Sequence, residues 1–166
     1  VKSSDRQLAL ISLDTRTGGT MIAFKTMAIF KSPQGLKTKM LLDTADENMS
    51  FTYMHYNSIN TVIKATGEKL YLAWGNGQGS TLIPWQELKA FSIAKNKLVE
   101  SKIFPNSASS IQVEFDLNSF ADNQKVPVIK IKNGGKTLQV PIENEKQGFS
   151  GKYKSYVFNG KVFKAN

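Results

Sequence analysis

Short apolar runs of period two, cut by turn residues about every 8–12 positions, dominate this chain and point to antiparallel β-structure. Ser110 to Leu117 is the cleanest run. Ile111, Val113, Phe115 and Leu117 fall on one face, and Gln112, Glu114 and Asp116 on the other. Leu8–Leu13, Leu36–Leu42, Met49–Tyr56, Ile59–Ala65, Lys69–Trp74, Leu98–Phe104, Val126–Lys132, Lys136–Ile142 and Tyr153–Phe158 read as further strands. Thr66-Gly67-Glu68, Ala94–Lys97, Asn133-Gly134-Gly135 and Asn159-Gly160 read as hairpin turns, Asn159-Gly160 as type I′. Met21–Phe30 is too apolar to assign by alternation and stays open between a buried strand and a short helix. Trp85–Ala90 has room for a turn of helix, which Pro84 disfavours. The expectation is an all-β fold, with room for one or two short helices. It is an antiparallel sandwich or barrel-like meander of about ten to twelve short strands.

No segment shows the composition shift of a linker, and the most polar gap, Ala121–Lys125, leaves only two hairpins behind it. Hairpins alone rarely support a core, so residues 1–166 are expected to form one domain.

Cysteine is absent, which removes disulfides, thiolate metal sites and cysteine nucleophiles. The formal net charge is +9, yet only Arg6 and Arg16 among the 22 basic residues are arginine. Arginine supplies the bidentate grip on phosphate and guanine, so a specific nucleic-acid reader is not expected. The lysines are spread along the chain and alternate with apolar residues, as at Lys130/Lys132 and Lys152/Lys154. That is the pattern of a solvated sheet face, where edge lysines also discourage aggregation. No apolar run approaches the roughly 20 residues of a membrane span. The polar opening Val1–Gln7 fits a trimmed amino terminus from which an export signal has been removed.

The stretch from Lys69 to Ser92 carries the richest local detail. An apolar run ends at Trp74, glycine occupies positions 75, 77 and 79, and apolar residues resume at Leu82. The expectation is a strand, a glycine loop, and a second strand bearing Trp85. Gly-x-Gly-x-Gly ahead of Pro84 opens no helix and has no adjacent lysine, so neither a dinucleotide fingerprint nor a phosphate loop is present. Two readings stand. The glycines form a hairpin loop or a flat, side-chain-poor strand edge on which Trp74 or Trp85 packs, or they let a ligand approach the backbone. In the second, Trp74, Asn76, Gln78, Trp85 and Gln86 offer a ring plane and neutral amides, the inventory of a sugar platform.

Catalytic chemistry is thinly represented. His55 is the only histidine, lies between Met54 and Tyr56, and has no Gly-x-Ser-x-Gly elbow to serve. A packing or hydrogen-bonding role is expected for it. Asp43, Asp46 and Glu47 cluster without the spacing of a calcium loop, and a solvated turn is expected there. Glu87, Glu114 and Asp116 are the acids a glycosidase would recruit, but Glu114 and Asp116 sit on the polar face of their strand. No catalytic residue, metal site or cofactor is therefore assigned.

Leu70–Ser80 followed by Lys89–Ile93, and the closing Tyr153–Phe163 with its Phe-Asn-Gly-Lys-Val-Phe ending, resemble a pattern in uncharacterised β-rich proteins exported by gut bacteria. The resemblance implies a periplasmic or cell-surface location and transfers no catalytic residues. The reading that results is an exported, non-enzymatic binding or accessory domain, with a glycan or a protein as its partner. The alternative is a glycan-binding module that uses the Trp74–Trp85 glycine loop. An acid-dependent hydrolase is the third class.

Overall fold

The computed structural model of the chain describes residues 1–41, 52–120, 125–144 and 148–166. Among these, twelve strands form three antiparallel sheets, and the only helical elements are three 3₁₀ turns of three residues each. The first sheet joins β1 (Leu8–Asp14), β2 (Phe24–Ser32) and β3 (Gly35–Leu41) in that order. The central sheet orders β4 (His55–Ile63), β5 (Lys69–Ser80), β6 (Ile83–Ala94) and β7 (Lys97–Glu100), and β8 (Ser110–Glu114) also pairs with β6. The third sheet runs β12 (Phe163–Ala165), β11 (Gly148–Phe158), β10 (Thr137–Asn144), β9 (Lys130–Lys132). The sheets are open and stacked. The fold is sandwich-like, and the barrel alternative is set aside.

The central sheet is covered on both faces, and its sequence shows why. Along β5, Leu70 and Leu72 enter a core with Val62, Leu88, Leu138 and Phe158 against the third sheet. Tyr71 and Ala73 enter the opposite core, with Leu8, Leu10, Ala28, Phe30 and Phe91, against the first sheet. A strand buried on both faces reads as a continuous apolar run, as Leu70–Trp74 does. The β8 strand, open to solvent on one side, keeps the alternation of a half-buried strand.

β7 and β8 divide the second edge of β6 between them: β7 pairs with Phe91–Ala94 and β8 with Trp85–Lys89. At the junction, Ala90 donates its N–H to the Ser109 carbonyl (2.9 Å) and accepts from the Ser101 N–H (2.9 Å), so the ladder is unbroken.

The structure decides several local expectations. Within Met21–Phe30 the strand alternative holds from Phe24 onward, as β2, because the alternate residues Thr26, Ala28 and Phe30 are buried beneath the first sheet. Trp85–Ala90 is likewise strand. Asn159-Gly160 does lie at a hairpin tip, but in a four-residue loop whose Asn159 side chain accepts the N–H groups of Lys161 (3.0 Å) and Val162 (2.9 Å). Asn133-Gly134 is also at a four-residue tip, between Lys132 and Thr137. The two-residue turn with both φ positive is Lys95-Asn96 (φ 47° and 62°), which closes β6 onto β7. The expected acidic turn at Asp43, Asp46 and Glu47 lies outside the described residues, as does the start of the Met49–Tyr56 run.

Candidate functional site: a tryptophan on a glycine bed

The largest correction concerns the glycine loop, which is not a loop. β5 continues through Gly75, Gly77 and Gly79 to Ser80, still paired with β6, and the chain turns only at Thr81-Leu82. None of these three glycines has a positive φ, so turn conformation does not explain them. Close approach does. A β-carbon on Gly77 would lie 2.5 Å from Cε2 and Nε1 of Trp85 and against the Tyr53 carbonyl oxygen; on Gly79 it would lie 3.1 Å from Cζ3. The indole of Trp85 therefore rests directly on the bare backbone of β5. Gly75 clears a similar approach for the His55 carbonyl, which a β-carbon would meet at 2.5 Å.

Trp85 is held from several sides. Its N–H points to the sulfur of Met54, and the Tyr53 ring meets it edge-on with centroids 6.4 Å apart. In register, Trp85 faces Glu114 on β8, and Glu87 faces Gln112, so the side chains of Gln112 and Glu114 share the tryptophan's side of the sheet. Together Trp85, Gln112 and Glu114 line an open pocket of about 240 Å³. Both β8 side chains are exposed, and Trp85 is half-buried.

The other four residues expected at a ligand platform do not join it. By alternation Trp74, Asn76, Gln78 and Gln86 belong to the opposite side of the sheet from Trp85. Trp74 is half-buried against the core shared with the third sheet. Asn76 is exposed, and its carbonyl accepts the Asn57 side-chain amide. Gln78 donates to the Thr20 carbonyl at 2.9 Å. Gln86 is buried with both ends of its amide engaged: it donates to the Pro127 carbonyl (2.7 Å) and accepts the Ile129 N–H (2.9 Å). It behaves as a strand partner for residues 127–129, which have no strand of their own. The glycine motif and Trp85 are legible in the sequence. Gln112 reads in the sequence only as part of the polar face of β8 and Glu114 only as one of three candidate acids, with nothing to show that β8 adds beside Trp85.

The acids and the histidine have identifiable occupations. His55 stacks on Phe24, with centroids 5.4 Å apart and planes 27° from parallel. Glu87 is buried, accepts the Tyr56 hydroxyl at 3.1 Å, and lies 3.4 Å from the Lys89 ammonium, which also reaches Glu100 at 3.8 Å. Asp116 caps a 3₁₀ turn through the Asn118 N–H at 2.9 Å. Only Glu114 among the nominated acids borders the pocket. No cluster of metal-ligating side chains exists among the described residues, and no described helix is long and apolar enough to cross a membrane.

Asp5 ties the amino-terminal segment to the central sheet. One carboxylate oxygen accepts from Ser3 (2.7 Å) and from the Gln7 N–H (3.1 Å), the other from Lys69 (2.9 Å) and the Tyr71 hydroxyl (3.2 Å). Burial is the largest single influence on its carboxyl and raises the pKa, but Lys69, Ser3 and the Gln7 N–H together outweigh it and hold the group below its ordinary value. Tyr71 is pushed the other way, first by burial and then by the Asp5 charge and its hydrogen bond.

No protein-family model, curated protein or solved structure matches this chain.

Proposed function

We propose that this chain is a non-catalytic binding domain of an exported protein, and that Trp85 is the platform on which it holds a carbohydrate. The observation that carries the reading is the indole resting against Gly77 and Gly79 beside an open pocket that it borders with Gln112 and Glu114. A sugar ring offers an apolar face of C–H groups and a rim of hydroxyls. An aromatic plane takes the first, and an amide and a carboxylate take the second. The glycine bed, Met54 and Tyr53 fix the indole in advance, so little side-chain freedom remains to be lost on binding. Hydrolysis asks for two carboxyl groups across the scissile bond, and among the described residues Glu114 is the one acid that borders this pocket. The exported location rests on the resemblance of residues 70–80 and 153–163 described above.

The test is a titration of the intact chain with a panel of neutral oligosaccharides, followed by intrinsic fluorescence from its two tryptophans. One member of the panel should perturb the emission and be recovered uncut. Trp85→Ala should abolish that binding, and Trp74→Phe should preserve it. Binding that survives Trp85→Ala, or cleavage of the sugar, defeats the reading.

A further inference from the structure

Away from the Trp85 pocket, β3 closes the first sheet and β7 closes part of the central sheet, and each has one side without a strand partner among the described residues. Between them lies a groove of about 400 Å³. Phe30 and Leu98, both buried, form its floor, Val99 adds an exposed apolar wall, and Lys37, Lys39 and Lys97 stand around it, with no acid among the described residues of the lining.

The backbone geometry of β7 makes one of these edges receptive. Ala94 and Lys97 close a two-residue turn, so they form a hydrogen-bonded pair, and the next pair, Ile93 with Leu98, does not. The N–H and C=O of Leu98 therefore point away from β6 and into the groove. Its carbonyl is met there by the ammonium of Lys39, reaching over from β3 at 3.2 Å. Lys39 stands opposite the buried Ala28, so it reaches Leu98 across the gap between the stacked sheets, which is ~10 Å or about two strand spacings of ~4.8 Å. That is the room one further strand needs.

We infer that this groove takes an extended acidic peptide, which adds as a strand between β3 and β7. Its backbone displaces the Lys39 contact at Leu98, its apolar side chains lie on Phe30 and Leu98, and its carboxylates, on the opposite face, lie beside Lys97 and within reach of the long side chains of Lys37 and Lys39 that flank the groove. Lysines on a free edge repel neutral or basic strands of other chains, and the same lysines select an acidic one. The inference is independent of the carbohydrate pocket, because no lining residue is shared.

The experiment uses the intact chain and a fluorescein-labelled peptide of alternating Glu and Val. The peptide should bind with a Kd in the micromolar range, and more weakly as salt rises, and it should protect the Leu36–Met40 and Lys97–Val99 amides from hydrogen exchange. Alternating Lys and Val should not bind. Lys37→Glu combined with Lys97→Glu, checked for an unchanged circular dichroism spectrum, should weaken binding at least tenfold. Trp85→Ala should leave it intact. The decisive probe is the Glu-Val peptide N-methylated at every second residue. Strand addition requires that it lose binding. Equal binding of the N-methylated peptide overturns strand addition, failure of the parent peptide overturns the inference, and capture of dodecanoate in its place reassigns the groove to a small amphiphilic anion.

Discussion

Tyr56 on β4 donates its hydroxyl hydrogen to Glu87 on β6 at 3.1 Å, although β5 runs between them. The register explains how. Tyr56, Gly75 and Glu87 are direct cross-strand neighbours, and Gly75 contributes no side chain to the space between the other two. A glycine that looks like a loop residue in the sequence is thus the gap through which a buried phenol reaches a buried carboxylate, itself 2 % exposed.

That contact gives the first prediction. Tyr56→Phe keeps the ring and removes the donor, leaving a buried carboxylate with one hydrogen bond fewer. Glu87 keeps its Lys89 neighbour, so the expected loss is about 1.5–3 kcal/mol, the range for one hydrogen bond to a charged group. Gly75→Ala should also destabilise, by about 1–3 kcal/mol, because its β-carbon would press on the His55 carbonyl at 2.5 Å. Denaturant titration checks both, and a Tyr56→Phe variant as stable as the parent would show that Glu87 does not depend on the phenol.

A second prediction links the glycine bed to Trp85. Gly77→Ala should destabilise and should change the near-ultraviolet circular dichroism, because the indole must move off the backbone. In a Trp85→Ala background the same substitution should cost less, since one of its two obstacles is gone, while the Tyr53 carbonyl remains. A coupling of about 0.5–3 kcal/mol is the size expected for side chains in contact. Strict additivity of the two substitutions would mean that the bed and the ring are energetically unrelated.

The fold was legible where alternation was clean. β8 keeps its two faces in the sequence because only one of them is buried, and the apolar opening of β5 is what burial on both faces requires. The glycine segment was harder. Gly75, Gly77 and Gly79 continue the alternation begun by Tyr71 and Ala73, so period two was present. Glycine nevertheless disfavours a strand intrinsically, and only the weight of Trp85 and the β4 backbone on that face makes one. Which strand joins the far edge of β6 is a long-range matter, so Trp85 could be named and Gln112 and Glu114 could not be placed beside it. The engagement of Gln86 is hidden for a similar reason: its partners, Pro127 and Ile129, lie more than 40 residues away in sequence.

The Asp5 clamp makes stability depend on pH at both ends of the scale. Asp5 has a folded pKa below its ordinary 3.8, so its contribution is complete above that value and is lost as pH falls from 3.8 through the folded pKa. Asp5→Asn should therefore be less stable than the parent at neutral pH, and the difference should shrink below pH 3.8. Tyr71, raised above its ordinary 10.0, behaves in the opposite sense: its contribution is complete below 10.0 and is lost as pH rises towards its folded value. Ultraviolet titration should find a late-ionising tyrosine that is missing in Tyr71→Phe. A stability gap at Asp5→Asn that is constant with pH would remove the charge from the argument.

Trp74 provides the last prediction, because it combines a favourable ring with an unfavourable atom. Its ring packs on the core between the central and third sheets, while its Nε1 is buried without an acceptor among the described residues. An unpaired buried donor costs about 1–3 kcal/mol, which offsets part of what the ring contributes. Phenylalanine lacks that N–H and retains most of the aromatic contact, at the expense of a small void. Trp74→Phe should therefore fall within about 1 kcal/mol of the parent, while Trp74→Ala should lose about 3–5 kcal/mol through lost burial and a cavity. Parallel denaturant titrations of the two variants separate the ring from the atom. If Trp74→Phe costs as much as Trp74→Ala, the indole N–H has a partner, and the residue is held by a hydrogen bond as well as by packing.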